Sequence, residues 1–195
     1  MFFRKQRKTK GGTHMRSFKI VIVLSGILLV CVPFSFAGDF KPDSEPDGFR
    51  GIKWGTNILN LSGMQYSHTA KYGGVKYYLR EGDELVIGRA NLNKIEYRFW
   101  NGKLYSVEIF TKGFTNFEGL KEAVFEKFGA SFKVTLNTTE GYTWDGEQTD
   151  MVLDYDSSSE KGSLFMYSKT LSQQVIAEAE AEKKQKAKEG TTKGF

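Results

Sequence analysis

Asp145, Glu147 and Asp150 lie within six residues, beside the short run Tyr142-Thr143-Trp144. Two carboxylates at such spacing are what a glycosidase uses, one as acid and one as base or nucleophile. The same residues also read as a solvated Trp-Asp-Gly-Glu turn, and that is the expected reading. Asp154, Asp156, Ser158 and Glu160 alternate like the ligands of a calcium loop. They depart from the EF-hand pattern, which needs glycine at the sixth place and glutamate at the twelfth, where Ser159 and Phe165 stand. His68 sits in the polar stretch Gln65-Tyr66-Ser67-His68-Thr69 with no paired nucleophile, so it reads as a surface loop residue. No Gly-x-Ser-x-Gly elbow is present to seat a hydrolase triad. Lys53, in the stretch FRGIKWGT, can flank an anion at a helix N-terminus, although no phosphate-loop pattern accompanies it. Trp100 and Trp144 are rings expected to be partly exposed and able to serve a binding face. The binding candidates are therefore Lys53, Trp100, Trp144, Asp145 and Glu147. No catalytic residue, metal-ligand set or cofactor is assigned.

The chain start carries a different message. Residues 1–19 hold seven cations and no acid, and residues 20–38 hold no charge. A basic segment, an apolar segment and the small exit Ser35-Phe36-Ala37 describe a secretory signal, with cleavage expected after Ala37. The alternative is an uncleaved anchor over residues 20–38, a length that spans a bilayer. A lipoprotein is disfavoured, since Leu29-Val30 rather than a small residue precedes Cys31. The formal charge of +5 belongs to the signal. The rest has 21 Lys and Arg against 23 Asp and Glu, a net of −2. Nucleic acid is not an expected partner, because no clustered basic face remains. The mature chain has no cysteine, which removes disulfides and thiol chemistry.

The elements that position these residues follow from pattern. Residues 38–48, GDFKPDSEPDG, have linker composition. Thr56 is expected to cap a short helix over residues 57–62 that Gly63 stops. Strands are expected at residues 74–79, 85–87, 94–99 and 104–109. For the hairpin between the last two, face matching favours a three-residue loop, Trp100-Asn101-Gly102. It sets Ile95 opposite Val107, Tyr97 opposite Tyr105 and Lys94 opposite Glu108. A second helix opens on the capping box Thr115-Asn116-Phe117-Glu118 and buries Phe117, Leu120, Val124 and Phe128. Further strands are expected around residues 132–136, 142–144, 151–155 and 163–167. A 60-residue offset aligns Gly102-Lys103-Leu104-Tyr105 with Gly162-Ser163-Leu164-Phe165 and suggests a tandem αβββ repeat. The fold class is α+β: an antiparallel sheet with two short helices on one face, forming a single domain over residues 49–170. Residues 171–195 are expected to be a charged helical or disordered tail.

The strings GFRGIKWGT, GVKYYLREGDEL, IEYRFWNGKLYSVEI, YTWDG and KGSLFMYS resemble a group of small exported bacterial proteins. The resemblance spans most of residues 48–168 and implies a periplasmic setting. It carries no catalytic residue. The repeat pattern also resembles, at the level of fold, the β-lactamase inhibitory protein and the small outer-membrane assembly lipoproteins. The function expected is a non-catalytic periplasmic module that binds a protein or cell-envelope component. Alternatives are a secreted hydrolase using the carboxylate cluster and an inhibitor of a secreted enzyme.

Overall fold

The computed structural model describes residues 38–192. The signal, its cleavage site and the anchor alternative lie outside the described residues. Along the chain come β1 (Gly48–Phe49) and β2 (Ile52–Lys53), a 3-10 turn (Ile58–Asn60), β3 (Met64–Thr69) and β4 (Lys76–Arg80). Then follow β5 (Val86–Ile87), β6 (Ala90–Asn91), β7 (Lys94–Trp100), β8 (Lys103–Lys112) and α1 (Phe114–Phe128). The chain ends with β9 (Val134–Leu136), β10 (Thr139–Asp145), β11 (Thr149–Asp156), β12 (Lys161–Ser168) and α2 (Lys169–Thr192). No helix among the described residues is long and apolar enough to cross a membrane.

The main sheet is antiparallel, with eight strands in the order β3-β4-β7-β8-β12-β11-β10-β9. The α+β class is thereby shown. Two four-stranded meanders meet where β8 pairs with β12. The tandem αβββ repeat is not shown: one meander follows a single 3-10 turn, the other follows a fifteen-residue helix, and each has four strands.

The first face of the sheet holds the main core. Ile95, Tyr97, Phe99, Leu104, Val107 and Ile109 meet Leu164, Met166, Met151, Leu153 and Trp144 there. The α1 stripe of Phe117, Leu120, Val124 and Phe128 packs onto them, as its 3.6-residue spacing requires. Gly162 permits this contact. A Cβ on it would lie 2.5 Å from Thr111 Oγ1 and 2.9 Å from Phe117 Cδ2. Ile58 and Leu61 pack against the same core, so both expected helical elements lie on one face.

Several boundaries differ from the sequence reading. The first helix is one 3-10 turn capped by Asn57, whose Oδ1 accepts from the Leu59 N–H, rather than a helix capped by Thr56. Gly113, with no side-chain cap, precedes α1. The helix opens at Phe114, so Thr115 lies inside its first turn instead of capping it, while Asn116 Oδ1 accepts from Asn91 N–H and its Nδ2 donates to the Lys112 carbonyl. Residues 38–48 are docked despite their linker composition. Gly38 bridges to Trp144, Phe40 packs edge-on against Phe128, and Glu45 Oε1 accepts from Gln148 and Thr149 N–H.

The β7–β8 register corrects the three-residue loop. Trp100 pairs with Lys103 around a two-residue turn, in which Asn101 (φ 48°) and Gly102 (φ 75°) both take left-handed conformations. This is the primed turn that Asn-Gly prefers. A bulge at Tyr105 then shifts the pairing, setting Tyr97 opposite Val107, Ile95 opposite Ile109 and Lys94 opposite Phe110. Tyr105 turns to the second face and joins Val75, Tyr77 and Val175. The bulge brings the apolar sets onto one side where an odd-numbered loop was expected to do so.

The tail is also partly docked. Leu171 and Val175 of α2 pack on the second face with Tyr77, Tyr105 and Trp100, and Ala179 is buried.

Candidate functional site

The second face carries the side chains left over by the alternation of β7, β8, β12, β11 and β10. Cross-strand pairing sets one row as Asp145, Asp150, Tyr167, Ser106, Arg98 and Tyr77, with His68 beyond. The next row is Thr143, Val152, Phe165, Glu108 and Glu96. A third is Gly141, Asp154, Ser163, Phe110 and Lys94. The α2 helix covers the Tyr77–Tyr105 end of the first row. Phe110, Val152 and Phe165 are half-buried, while Leu136 and Leu79 are exposed on β9 and β4 at either side.

Arg98 organises the centre. Its guanidinium lies 5.0 Å from the Tyr77 ring centre and 4.8 Å from that of Phe165, and it forms an ion pair with Glu108. His68 stacks on the outer side of Tyr77 at 4.1 Å. Glu96 and Glu108 face each other across the strands, a like-charge pair that costs stability when unrelieved. Arg98 relieves one and Lys94, at 2.7 Å, the other. Asp154 accepts from Ser163 Oγ at 2.9 Å, and burial still pushes its pKa above the usual carboxylate range. Asp156 is held low by the Ser159 and Ser158 hydroxyls that donate to it in its own turn. Most of its charges are thus paired within the face, while Arg98 Nε, Ser106 Oγ and Asp150 Oδ1 are buried without a hydrogen-bond partner among the described residues.

At its edge, Lys169 pairs with both Asp145 and Asp150, at 3.3 Å from Asp150 Oδ1, and donates to the Gly146 carbonyl. Burial, reinforced by Asp145, pushes Asp150 up to about 6 against the pull of Lys169. Burial and the neighbouring Asp150 raise the Tyr167 phenol as well. Chemically this set anchors the start of α2 to the β10–β11 turn.

The five binding candidates do not converge. Lys53 is exposed on β2 and pairs with Asp47 at 2.8 Å, with no helix N-terminus beside it. Trp100 is half-buried under α2 and donates from Nε1 to Glu178 Oε2 at 2.8 Å. Trp144 is not an exposed ring: it is 1% exposed, sits in the core and donates to the Gly129 carbonyl. Its strand alternates inward at Tyr142 and Trp144, which places Asp145 outward. Glu147 is exposed at the turn. The sequence reading missed Lys169, Arg98 and Phe165, and only the β7 alternation hinted at Arg98.

Two clefts stand out among the described residues. One of about 460 Å³ is lined by Asp43, Glu45, Asp47, Arg50 and Lys127 among others. The other, of about 400 Å³, lies between Phe114, Tyr155 and Thr135. No group of three potential metal ligands gathers among the described residues.

Fold and face together define an α+β protein with one sheet face built into the core and the other covered by the described residues only at its α2 end. No family model, curated protein or solved structure matches the chain.

Proposed function

We propose that this protein is an exported periplasmic module that binds a protein or cell-envelope partner on the second face of its sheet and performs no chemistry of its own. The observation that carries this reading is the stretch from β8 to β10 on which Phe110, Val152 and Phe165 are half-buried and over which the described residues place no second layer. A solvated antiparallel face ordinarily alternates to polar residues. Aromatic and branched residues kept on such a face mark an interaction surface. The carboxylates in its three rows each have a neighbouring partner, so docking strands no bare charge. The export half of the reading rests on the signal-like residues 1–37 and on the resemblance to small exported proteins.

Site-specific photo-crosslinking in the envelope tests it. A photoreactive residue at Val152 is expected to trap a discrete partner that excess wild-type protein competes away. The same probe at Glu126, exposed on α1, is expected to trap none. Equal adducts from both positions, or none that saturate, overturn the reading.

A further inference from the structure

The α2 helix has two unlike halves. Through Glu182 it is a docked helix, with Leu171, Ser172, Val175, Ala179 and Glu182 recurring on the sheet side. From Lys183 to Glu189 every side chain is exposed. Two of the three acids of the docked half are engaged by the fold, and the third, Glu180, is exposed. Glu178 accepts from Trp100, while Glu182 accepts from Gly73 N–H at 2.8 Å and pairs with Lys186 at 2.7 Å. The projecting half is rich in cations: Lys183, Lys184, Lys186 and Lys188 stand against the single acid Glu189.

A second element adds to this charge. The turn between β3 and β4 lies beside the helix and brings Lys71 and Tyr72. The ammonium groups of Lys71, Lys183 and Lys186 lie 5.3, 5.4 and 5.0 Å from the Tyr72 ring centre. One ring gives only a weak attraction to each cation. Like charges gathered around it repel one another, and Glu182 is the carboxylate that pairs into the group. A concentration of cations from two elements on a chain whose mature form is net acidic is complementary to an anionic surface.

We propose that this end of the molecule docks on an anionic lipid bilayer. The distribution of the lysines selects that partner. At about 100° per residue, positions 183, 184, 186 and 188 spread around more than half of the helix circumference. They form no stripe that a shaped protein groove can read. A lipid surface reads the number of charges and not their register. The projecting half also lacks large apolar side chains, so the contact is electrostatic rather than an insertion. This surface is separate from Phe110, Val152 and Phe165, so either reading can fail alone.

Co-sedimentation with vesicles decides it, using the protein as the cell delivers it. Vesicles of pure phosphatidylcholine are compared with vesicles containing about 30% phosphatidylglycerol, at about 50 mM and about 300 mM salt. Binding to the anionic vesicles is expected to exceed binding to the neutral ones by at least about tenfold at low salt, and to collapse at high salt. Replacing Lys183, Lys184, Lys186 and Lys188 with Gln is expected to weaken it on the order of 1,000-fold, at about 1 kcal/mol per lysine. Replacing the same four with Arg, which keeps the charge, is expected to retain it. Inorganic phosphate at about 10 mM is expected not to compete, since a small mono- or dianion offers no charged surface. Equal binding to both vesicles, retention by the Gln variant or loss by the Arg variant overturns the proposal. So does tighter binding to a soluble polyanion than to the anionic vesicles, which assigns this end to an acidic macromolecule instead.

Discussion

Asp150 is a carboxylate held where ionisation is disfavoured. Burial and Asp145 outweigh the attraction of Lys169, and its pKa rises from 3.8 to about 6. A group whose folded pKa exceeds its unfolded one opposes folding once it is ionised. This penalty is present above pH 6 and disappears as pH falls through 6 toward 4. Asp150→Asn is therefore expected to unfold at a higher temperature than wild type at pH 8, with the gap closing by pH 4. Thermal melts across that range check this, and a gap that widens on acidification contradicts it. A second buried set behaves differently. Tyr97 donates to Asp83 Oδ2 at 2.6 Å, and Arg50 holds Asp83 Oδ1 at 3.0 Å. Burial and then the Asp83 hydrogen bond keep the Tyr97 phenol well above its usual range, so it stays a donor at any ordinary pH. Asp83→Ala leaves a buried hydroxyl and a half-buried guanidinium without their acceptor. It is expected to cost about 2–4 kcal/mol in denaturant unfolding, the range for orphaning buried polar partners.

At the scale of elements, α1 and β12 approach only because position 162 lacks a side chain. Gly162→Ala sets a methyl into Thr111 and Phe117, both buried, and is expected to destabilise by about 1–3 kcal/mol. Phe128→Ala empties the last position of the α1 stripe, which also holds Phe40 at 6.0 Å, and is expected to cost about 3–5 kcal/mol. An unfolding midpoint near wild type for either variant shows that α1 is not seated as described. The β7–β8 hairpin shows why local pattern stops short. Its period-2 alternation identified both strands and the shared side of Ile95, Tyr97, Val107 and Ile109, since side chains must alternate across a strand, but it put Tyr105 on the wrong face. Face matching favoured the odd-numbered loop, because a plain two-residue turn would split the apolar sets, but two arrangements keep them on one side. One is an odd-numbered loop; the other is an Asn-Gly turn followed by a bulge. The preference of Asn-Gly for positive φ at both positions decided for the second. Sending Tyr105 to the opposite face was advantageous because Val175 of α2 was there to cover it.

For the whole molecule, α2 divides into a part that completes the fold and a part that does not. Ending the chain after Glu182 is expected to leave the unfolding midpoint within about 0.5 kcal/mol, as for changes away from packed features. Ending it after Ser168 uncovers Tyr77, Tyr105 and Trp100 and removes Val175. That is expected to cost several times more, at about 25 cal/mol per Å² of apolar surface exposed. Equal effects of the two truncations contradict the division. By itself the sequence determined the α+β class, most strands and the α1 stripe. These depend on periodicity and side-chain chemistry within a dozen residues. Only tertiary structure decided that Trp144 is core, that Lys169 joins Asp145 and Asp150, that Arg98 lies between Tyr77 and Phe165, and that residues 38–48 and α2 belong to the fold. Each of those contacts joins residues far apart in the chain or on different strands. Linker and tail compositions describe a segment's own preference for solvent, whereas docking depends on a surface formed elsewhere that leaves room for Phe40 or Val175.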